Sequence, residues 1–415
     1  MVSDTFCNGE RYRRCLTPSV TGVRWHTRVV STRIRTTHVG SLPRPESVTP
    51  LLVQREQRGL PTADDRRAFD TTIGDAVAGV VRRQVDVGID LVSDGEMSKV
   101  TYSTYVKDRL TGFDGDTPRK PSLDLAPYDE LRRRLAAAAG GSQVFKRESC
   151  VGPITYVGHA DLEADLAHLR GAVDAAGLTP ADAFMNAASP GLVTAFQGNE
   201  YYATHDDYLE AVGEAMRIEY EAIAAAGFVL QLDCPDLAMA RHTGFQDLDE
   251  HEFLRRAARH VEVLNEATRN IDPTAMRMHL CWGNYEGPHD HDIELVKVLP
   301  FVLASRPSSI LFEAANPRHA HEWRVWAEAA VPDDKVLVPG VITSTSNYVE
   351  HPAHVAELLS RYVAIVGPER VVAGTDCGFG TFAGIGKVDP DVAYKKLGSL
   401  VAGAELVSAA STVAT

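Results

Sequence analysis

A histidine and a cysteine two residues apart, His279 and Cys281, are the first residues of this sequence whose types and spacing suggest chemistry. They lie at the end of a predicted strand, Met276–Leu280, and side chains two apart on a strand point to the same face. An imidazole and a thiolate at that spacing can bind one metal ion, and zinc takes nitrogen and sulfur ligands. The pair alone is equally compatible with a buried cysteine beside a hydrogen-bonded histidine.

Two further residues with metal-binding side chains follow neighbouring predicted strands. Glu313 comes directly after Ser-Ile-Leu-Phe, and Cys377 lies in Gly-Thr-Asp-Cys-Gly at the end of the last strand. A carboxylate at such a place faces the mouth of a barrel and needs a partner. Together with His279 and Cys281 these residues make a set of N, S, O and S donors that suits tetrahedral zinc. A closed set would be structural, whereas a displaceable Glu313 would make the site catalytic.

Such a site requires a scaffold that brings the ends of several strands together. Short β-branched runs ending in Gly, Pro or acidic clusters alternate with helical stretches, as in 208–226, where apolar residues recur at steps of three and four. This alternation implies parallel strands joined by right-handed crossovers. The strand candidates are Arg35–Val39, Asp90–Ser93, Ala183–Ala187, Val229–Leu232, Met276–Leu280, Ile310–Phe312, Val336–Val338 and Val371–Ala373.

Polar residues close all eight strand candidates, which favours an α/β fold of the (β/α)8 TIM-barrel type over an open doubly wound sheet with its site at one switch point. We predict one catalytic barrel over residues 33–400, with a long insertion at 97–180 between the second and third strands. A hairpin is expected within that insertion at Ser149–Tyr156. Residues 1–32 are predicted to be a disordered extension, and residues 401–415 a frayed C-terminal tail.

Composition narrows the class of protein. The formal net charge of −14 argues against a non-specific binder of nucleic acid or anionic membranes. Six cysteines in 415 residues are too few for a disulfide scaffold, and no apolar run has the length of a transmembrane helix or signal peptide. We therefore predict a cytoplasmic protein that acts on small molecules, with neither nucleic acid nor membrane as partner. The sequence leaves the oligomeric state open, a homo-oligomer included.

The motifs, taken in order, resemble the cobalamin-independent methionine synthase family, specifically its C-terminal catalytic barrel and its shorter one-barrel relatives. The similarity runs from about Arg35 to about Gly398. The segments that carry it are Thr36–Arg44, Ser93–Glu96, Gln231–Pro235, His279–Cys281, Glu313, Pro339–Val341 and Asp376–Gly378. The resemblance implies a TIM barrel and a transferase of methionine biosynthesis.

The same resemblance assigns roles to residues. The positions that hold a catalytic zinc ion in the family match His279, Cys281, Glu313 and Cys377. The positions that bind the thiol substrate homocysteine match Ser41, Glu96 and Asp233. Because zinc deprotonates a bound thiol, this implies methyl transfer from a methyl-folate-type donor to homocysteine by a zinc-bound thiolate. Glu96 and Asp233 suit the ammonium group of the substrate, although either carboxylate can instead cap a helix or pair with an arginine.

The methyl-donor half of the family pattern is not preserved. Near the place of the family's proton-donating histidine the sequence has Thr345, and His351 close by is a weak candidate for that role. The family's folate-contacting glutamate falls near Met239. The full-length family members also have a second, N-terminal barrel, which is expected to help bind the polyglutamate tail of the folate. The identity of the alkyl donor is therefore open.

Three alternatives follow. One is the zinc-dependent addition of a thiol to an epoxide, as in epoxyalkane:coenzyme M transferase, or to another non-folate electrophile. A second is a metal-free decarboxylase on the same fold, as in the uroporphyrinogen decarboxylases. The third is a zinc-stabilised binding protein without catalysis.

Two histidine-rich motifs remain outside this scheme. His319-Ala-His321 is predicted to begin a helix, where side chains two apart do not face each other and cannot share a metal ion. His289-Asp-His-Asp292 is predicted to be a solvated loop with a helix cap at Asp292, close enough to the zinc strand to gate the site.

Overall fold

The computed structural model describes residues 33–117, 120–138 and 147–413. The extension predicted at residues 1–32 lies outside these ranges. The strands within them are β1 (Arg35–Thr36), β2 (Val92–Ser93), β3 (Phe113–Asp114), β4 (Ser149–Cys150), β5 (Ala183–Ala188), β6 (Val229–Asp233), β7 (Met276–His279), β8 (Ser309–Glu313), β9 (Val336–Gly340) and β10 (Val372–Ala373). All eight predicted barrel strands overlap one of these.

The parallel strands close into a ring. Strands β2, β5, β6, β7, β8 and β9 form one parallel sheet in that order, and β1 pairs in parallel with β10. Parallel bridges Leu337–Val371 and Gly340–Gly374 join the ends of β9 and β10. On the other side, Leu91 N donates to Thr36 O at 3.0 Å and links β1 to the chain entering β2. The predicted (β/α)8 barrel is therefore confirmed.

Helices cover the outside of this ring. They are α1 (Val48–Arg58), α2 (Ala63–Asp86), α3 (Asp129–Ala138), α4 (His159–Ala175), α5 (Pro190–Phe196), α6 (His205–Ala225), α7 (Glu250–Ala267), α8 (Leu295–Leu303), α9 (Trp323–Glu328), α10 (Pro352–Val366) and α11 (Pro390–Val413). Within the described ranges, none of them combines the length and the apolar character that crossing a bilayer requires.

Helix α6 shows how the sequence pattern becomes packing. Thr204 begins the helix by accepting a hydrogen bond from Asp207 N, and Gly227 follows its end with a φ of 84° that favours glycine. The buried face of the helix includes all five apolar residues of the predicted period, Leu209, Val212, Met216, Tyr220 and Ile223. The apolar period of the sequence thus gives both the helix and its orientation on the barrel.

The segment between β2 and β5 leaves the barrel and returns. Strands β3 and β4 pair antiparallel, with Phe113 opposite Cys150, so the expected hairpin forms with an earlier part of the chain rather than within Ser149–Tyr156. Helix α4 packs against α2 on the outside of the ring. Helix α4 thus belongs to the outer layer of the barrel. Of the insertion predicted at 97–180, the part that leaves the barrel lies between Met97 and Gly158.

The C-terminal residues differ from the prediction of a frayed tail. Residues 401–413 continue α11, and Ala404 and Val407 are buried. Ser408 Oγ accepts a hydrogen bond from Ile34 N at 2.9 Å, just before β1. The small apolar residues of this stretch form a helix because they pack beside the first strand, a long-range contact that the local sequence does not reveal.

One carboxylate attaches the excursion to the barrel. Glu219 on α6 accepts hydrogen bonds from the hydroxyls of Tyr105 and Tyr156, each at 2.8 Å. All three side chains are buried. Because a buried carboxylate without hydrogen bonds is costly, the two tyrosines and the glutamate stabilise one another.

We predict that Glu219→Ala lowers the free energy of unfolding by about 3 kcal/mol, because it removes two buried hydrogen bonds and leaves the hydroxyl protons of Tyr105 and Tyr156 without their acceptor. Urea unfolding followed by circular dichroism measures the change. Glu214→Ala on the same helix is the control, since Glu214 is exposed and pairs only with Arg217, and we expect it to cost less than about 0.5 kcal/mol. Equal effects of the two substitutions would contradict the anchoring role.

Candidate active site

The carboxyl ends of the barrel strands surround a pocket of about 210 Å³. All of the metal and substrate residues predicted from the sequence except Glu313 and His351 line it. The other lining residues are mostly apolar and include Tyr102, Leu125, Phe196, Met239 and Phe382. The pocket therefore has a polar floor at the strand ends and an apolar wall above it.

The floor is formed by three side chains that we call the His-Cys-Cys triad: His279, Cys281 and Cys377. One potential ligand atom from each lies within 4.8 Å of the other two, and the sulfur atoms are 3.9 Å apart. His279 ends β7 and Cys281 follows two residues later, so both face the pocket as predicted. Cys377 comes from the loop after β10. All three are buried.

Glu313 stands apart from this triad. It ends β8 and is buried, but it does not belong to the group of converging ligand atoms among the described residues. Its Oε1 accepts a hydrogen bond from Trp282 N at 2.8 Å, and its Oε2 accepts one from Asn316 Nδ2 at 3.0 Å. Three of the four predicted metal ligands are thus brought together, and the fourth is held beside them by hydrogen bonds.

The pKa shifts within the triad favour an ion pair between the Cys377 thiolate and a protonated His279. The Cys281 thiol lowers the pKa of Cys377 to about 6, and His279 contributes in the same direction, against the effect of burial. Burial disfavours the charged imidazole of His279, but Asp233 and Cys377 outweigh burial and raise its pKa to about 10. The hydrogen bond with Cys377, together with burial, raises the pKa of Cys281.

The triad fits a metal ion. His279 Nε2 is buried and has no hydrogen-bond partner among the described residues. Its other ring nitrogen, Nδ1, lies 3.4 Å from Asp233 Oδ1. Histidines that bind metals typically direct their second nitrogen at a carboxylate, which fixes the ring and leaves the first nitrogen free. The donors N, S and S suit a borderline soft metal ion.

Asp233 is itself held by two amides. Gln231 Nε2 donates to its Oδ1 at 2.8 Å, and Asn186 Nδ2 donates to its Oδ2 at 3.1 Å. Gln231 in turn accepts a hydrogen bond at 2.7 Å from Nε of Arg277, which is buried inside the barrel. Asp233 therefore lines the pocket and orients His279 at the same time. It caps no helix and forms no salt bridge with an arginine in the described structure.

Glu96 is the free carboxylate of the pocket. Its Oε2 is buried without a hydrogen-bond partner among the described residues, and its φ of 58° is unusual for a residue with a side chain. Burial and the nearby charge of Asp233 raise the pKa of Glu96 to about 8. Arg44 Nη2 donates to the Glu96 main-chain carbonyl. Glu96 is thus available to a cationic group of a ligand.

Ser41 lies between the loops that follow β1 and β10. Its main-chain oxygen accepts a hydrogen bond from Phe379 N at 2.7 Å. A Cβ atom on Gly378 would lie only 2.0 Å from Ser41 Oγ. A side chain at position 378 would therefore displace the Ser41 hydroxyl from its position in the pocket.

The weak candidate for the proton donor is not in the pocket. His351 is exposed and begins α10, where its Nδ1 accepts a hydrogen bond from Ala353 N at 3.1 Å. The structure therefore gives His351 the role of a helix cap, which its position before the Pro-Ala-His helix start explains. Thr345 lies in a separate outer cleft with Tyr285 and Asn316, and Met239 is part of the apolar wall.

The sequence analysis missed the apolar wall. Tyr102 and Leu125 come from the excursion after β2, Phe196 from the end of α5 and Phe382 from the glycine-rich loop after β10. These side chains follow no common period, since they come from three separate segments of the chain. Only the Phe-Gly-Thr-Phe run beside Cys377 gave a signal of proximity to the site.

Known proteins are similar in sequence to most of this chain. A methionine synthase from Thermococcus kodakarensis is 25% identical over 373 residues, which is 90% of this chain and 93% of that protein. A methionine synthase from Saccharolobus solfataricus is 24% identical over 379 residues, which is 90% of this chain and 94% of that protein.

The fold is also similar to that of a solved methionine synthase. The structure of a B12-independent methionine synthase from a Shewanella species, in complex with selenomethionine, superposes with a TM-score of 0.65 at 19% identity. It covers 92% of this chain and 100% of its own. No family model matches the chain. The sequence similarity to methionine synthases and the similarity in fold to a B12-independent methionine synthase agree with the resemblance that the motifs carry.

Proposed function

We propose that this protein is a zinc-dependent thiol alkyltransferase that transfers a methyl group to homocysteine. The observation that carries the proposal is the position of the His-Cys-Cys triad at the floor of a pocket that also presents Glu96. The related methionine synthases from the two archaea support the same reaction.

We assign zinc to the triad, because one imidazole and two thiolates are ligands that zinc prefers. When bound, the ion would lower the pKa of a coordinated substrate thiol and keep it as a nucleophilic thiolate. Three protein ligands leave a fourth position for that thiol. Glu313 would become a ligand only by exchanging its hydrogen bond from Trp282 N or Asn316, which suits a carboxylate that the substrate displaces.

The charge of the pocket favours an aminothiol over coenzyme M. Glu96 and Asp233 line the pocket, whereas no lysine or arginine is among the described residues that line it. An ammonium group would pair with the unpartnered Glu96, because a buried carboxylate gains most from a charged hydrogen-bond donor. Coenzyme M brings a sulfonate and no ammonium group, so it offers Glu96 no charged hydrogen-bond donor. The substrate best matched to this end of the pocket is therefore homocysteine.

The apolar wall is the place for the alkyl donor. Tyr102, Phe196 and Phe382 present aromatic surface opposite the polar floor, and aromatic side chains pack well on a flat ring such as that of a methyl-folate-type donor. The reaction forms a sulfur–carbon bond to the methyl group and breaks the bond between that group and the donor. Glu96 would hold the ammonium group of the substrate, and Asp233 would keep His279 in its orientation throughout.

We predict that Cys377→Ser lowers the bound zinc to well below one equivalent and abolishes methyl transfer, because serine is a poor ligand for zinc at neutral pH. Metal analysis of the purified protein and product formation from homocysteine measure the two effects. Cys150→Ser is the matched control, since Cys150 is buried in β4 outside the pocket. Undiminished zinc in Cys377→Ser would refute the ligand assignment.

Glu96→Gln should reduce kcat/KM for homocysteine by about 30-fold, which corresponds to about 2 kcal/mol, the strength of a hydrogen bond between charged groups. The comparison substrate is 4-mercaptobutanoate, which lacks only the amino group. Its kcat/KM should change less than about threefold. A similar loss with both thiols would show that Glu96 does not recognise the ammonium group.

A matrix of substrates tests the reaction itself. Homocysteine and coenzyme M are each incubated with methyl-folates and with short epoxides, and thioether products are identified by mass spectrometry. We expect methionine from homocysteine and a methyl-folate, and no product from coenzyme M. A thioether formed only from coenzyme M and an epoxide would establish the alternative activity, and carbon dioxide release by metal-free protein would indicate a decarboxylase.

A further inference from the structure

The loop after β7 buries half of the His-Asp-His-Asp motif that was predicted to be solvated. His289 is 4% exposed, and the side chain of Asp292 is 2% exposed. His319, from the segment after β8, is 3% exposed and meets them. We call these three residues the His-Asp-His cluster. Asp292 caps no helix, because α8 begins later, after Glu294.

The cluster has the geometry of metal-binding histidines. His289 Nδ1 and His319 Nε2 each lie 2.9 Å from Asp292 Oδ2, and the three ligand atoms are within 4.8 Å of one another. The second nitrogen of each ring faces an acceptor, the Tyr285 carbonyl for His289 and the Glu322 carboxylate for His319. Such outer acceptors fix the tautomer in which the inner nitrogen can bind a metal ion.

Hydrogen bonds alone would require an unusual charge state. Because both neighbours of each ring are acceptors, each imidazole would have to carry two N–H groups and a positive charge. A divalent ion would replace the two inner protons and satisfy the same nitrogens with neutral rings.

Two further observations point to a ligand. Asp292 Oδ1 is buried and makes no hydrogen bond among the described residues, although it lies 3.4 Å from His242 Nε2. His289 has a φ of 53°, and the only other described residue with a side chain and a positive φ is Glu96 in the pocket. Such conformations persist where the surroundings fix a side chain in place, which is common at ligand sites.

We propose that His289, Asp292 and His319 bind one divalent first-row transition-metal ion at a site separate from the His-Cys-Cys triad. The donors are two nitrogens and a carboxylate oxygen, a set that takes Fe²⁺, Mn²⁺, Co²⁺ or Zn²⁺. The triad, with two sulfur donors, has a different preference. The two sites can therefore be distinguished by the spectrum of a metal that enters both.

The ion would connect the loop after β7 to the segment after β8. Trp282 stacks on His319 with ring centroids 4.2 Å apart, and its main-chain nitrogen donates to Glu313. Tyr285, which lines the pocket, stacks on His289 at 4.4 Å. An ion in the His-Asp-His cluster would thus keep the wall of the pocket and Glu313 in place without contacting the substrate.

Cobalt binding to the metal-stripped full-length protein tests this proposal. We expect two equivalents of Co²⁺ in equilibrium dialysis, with one giving the intense near-ultraviolet charge-transfer band of thiolate ligands. His319→Gln should bind one equivalent and keep that band. The double variant Cys281→Ser/Cys377→Ser should also bind one equivalent and lack the band. The exposed neighbours provide matched controls, and His291→Gln and His321→Gln should each bind two equivalents.

A wild-type protein that binds one equivalent, unchanged by His319→Gln, would show that the cluster is a hydrogen-bonded network only. If His319→Gln fails to fold, the double cysteine variant provides the test. A double variant that binds no Co²⁺ would overturn the proposal. The outcome is independent of the proposed reaction. A protein without the thiolate band that still binds one equivalent would contradict zinc at the triad and support the second site.

Discussion

The geometry of the pocket depends on the hydrogen bonds that Arg277 makes inside the barrel. Its guanidinium reaches from β7 across the interior of the barrel to Thr37 Oγ1 at 2.8 Å and to His38 O at 2.6 Å, beside β1. It also lies over the ring of Phe184 at 3.5 Å. Burial lowers the pKa of Arg277 to about 9, because removing a charged guanidinium from water costs free energy. Its hydrogen bonds hold β7 and the chain that follows β1 at a fixed distance directly below the site.

From this centre a chain of hydrogen bonds rises to the metal-binding residues. Arg277 holds Gln231, Gln231 and Asn186 hold Asp233, and Asp233 faces His279. Each step is a buried polar contact, which is strong only if every member is satisfied. The orientation of the imidazole is therefore set by the barrel interior, and the pocket above it is free to vary its apolar wall.

The strands, the main helices and the polar residues at the strand ends were predictable because each leaves a local period or a fixed spacing. The triad followed from the same rule, since side chains two apart on a strand share a face and the carboxyl ends of parallel strands meet. What the sequence did not reveal depends on contacts between distant segments. The helix at 401–413 and the hydrogen bond from Trp282 to Glu313 are of this kind, whereas the cap at His351 is a local contact with Ala353.

The burial of the two histidine motifs also depends on contacts between distant segments. Polar loops are usually exposed, and this made the solvated interpretation of His289 and Asp292 reasonable. Their burial results from the approach of His319 after the next strand, which no spacing within either motif could indicate. The alternation of buried and exposed histidines in both motifs is visible only once the two loops are placed side by side.

Gly378 performs no chemistry, yet it limits how the chain can diverge. A Cβ atom at position 378 would lie 2.0 Å from Ser41 Oγ and 3.1 Å from the main-chain N and O of Ser41, so the serine side chain would have to leave its place in the pocket. Positions 41 and 378 must therefore change together, whereas the aromatic residues around the pocket can be exchanged one at a time.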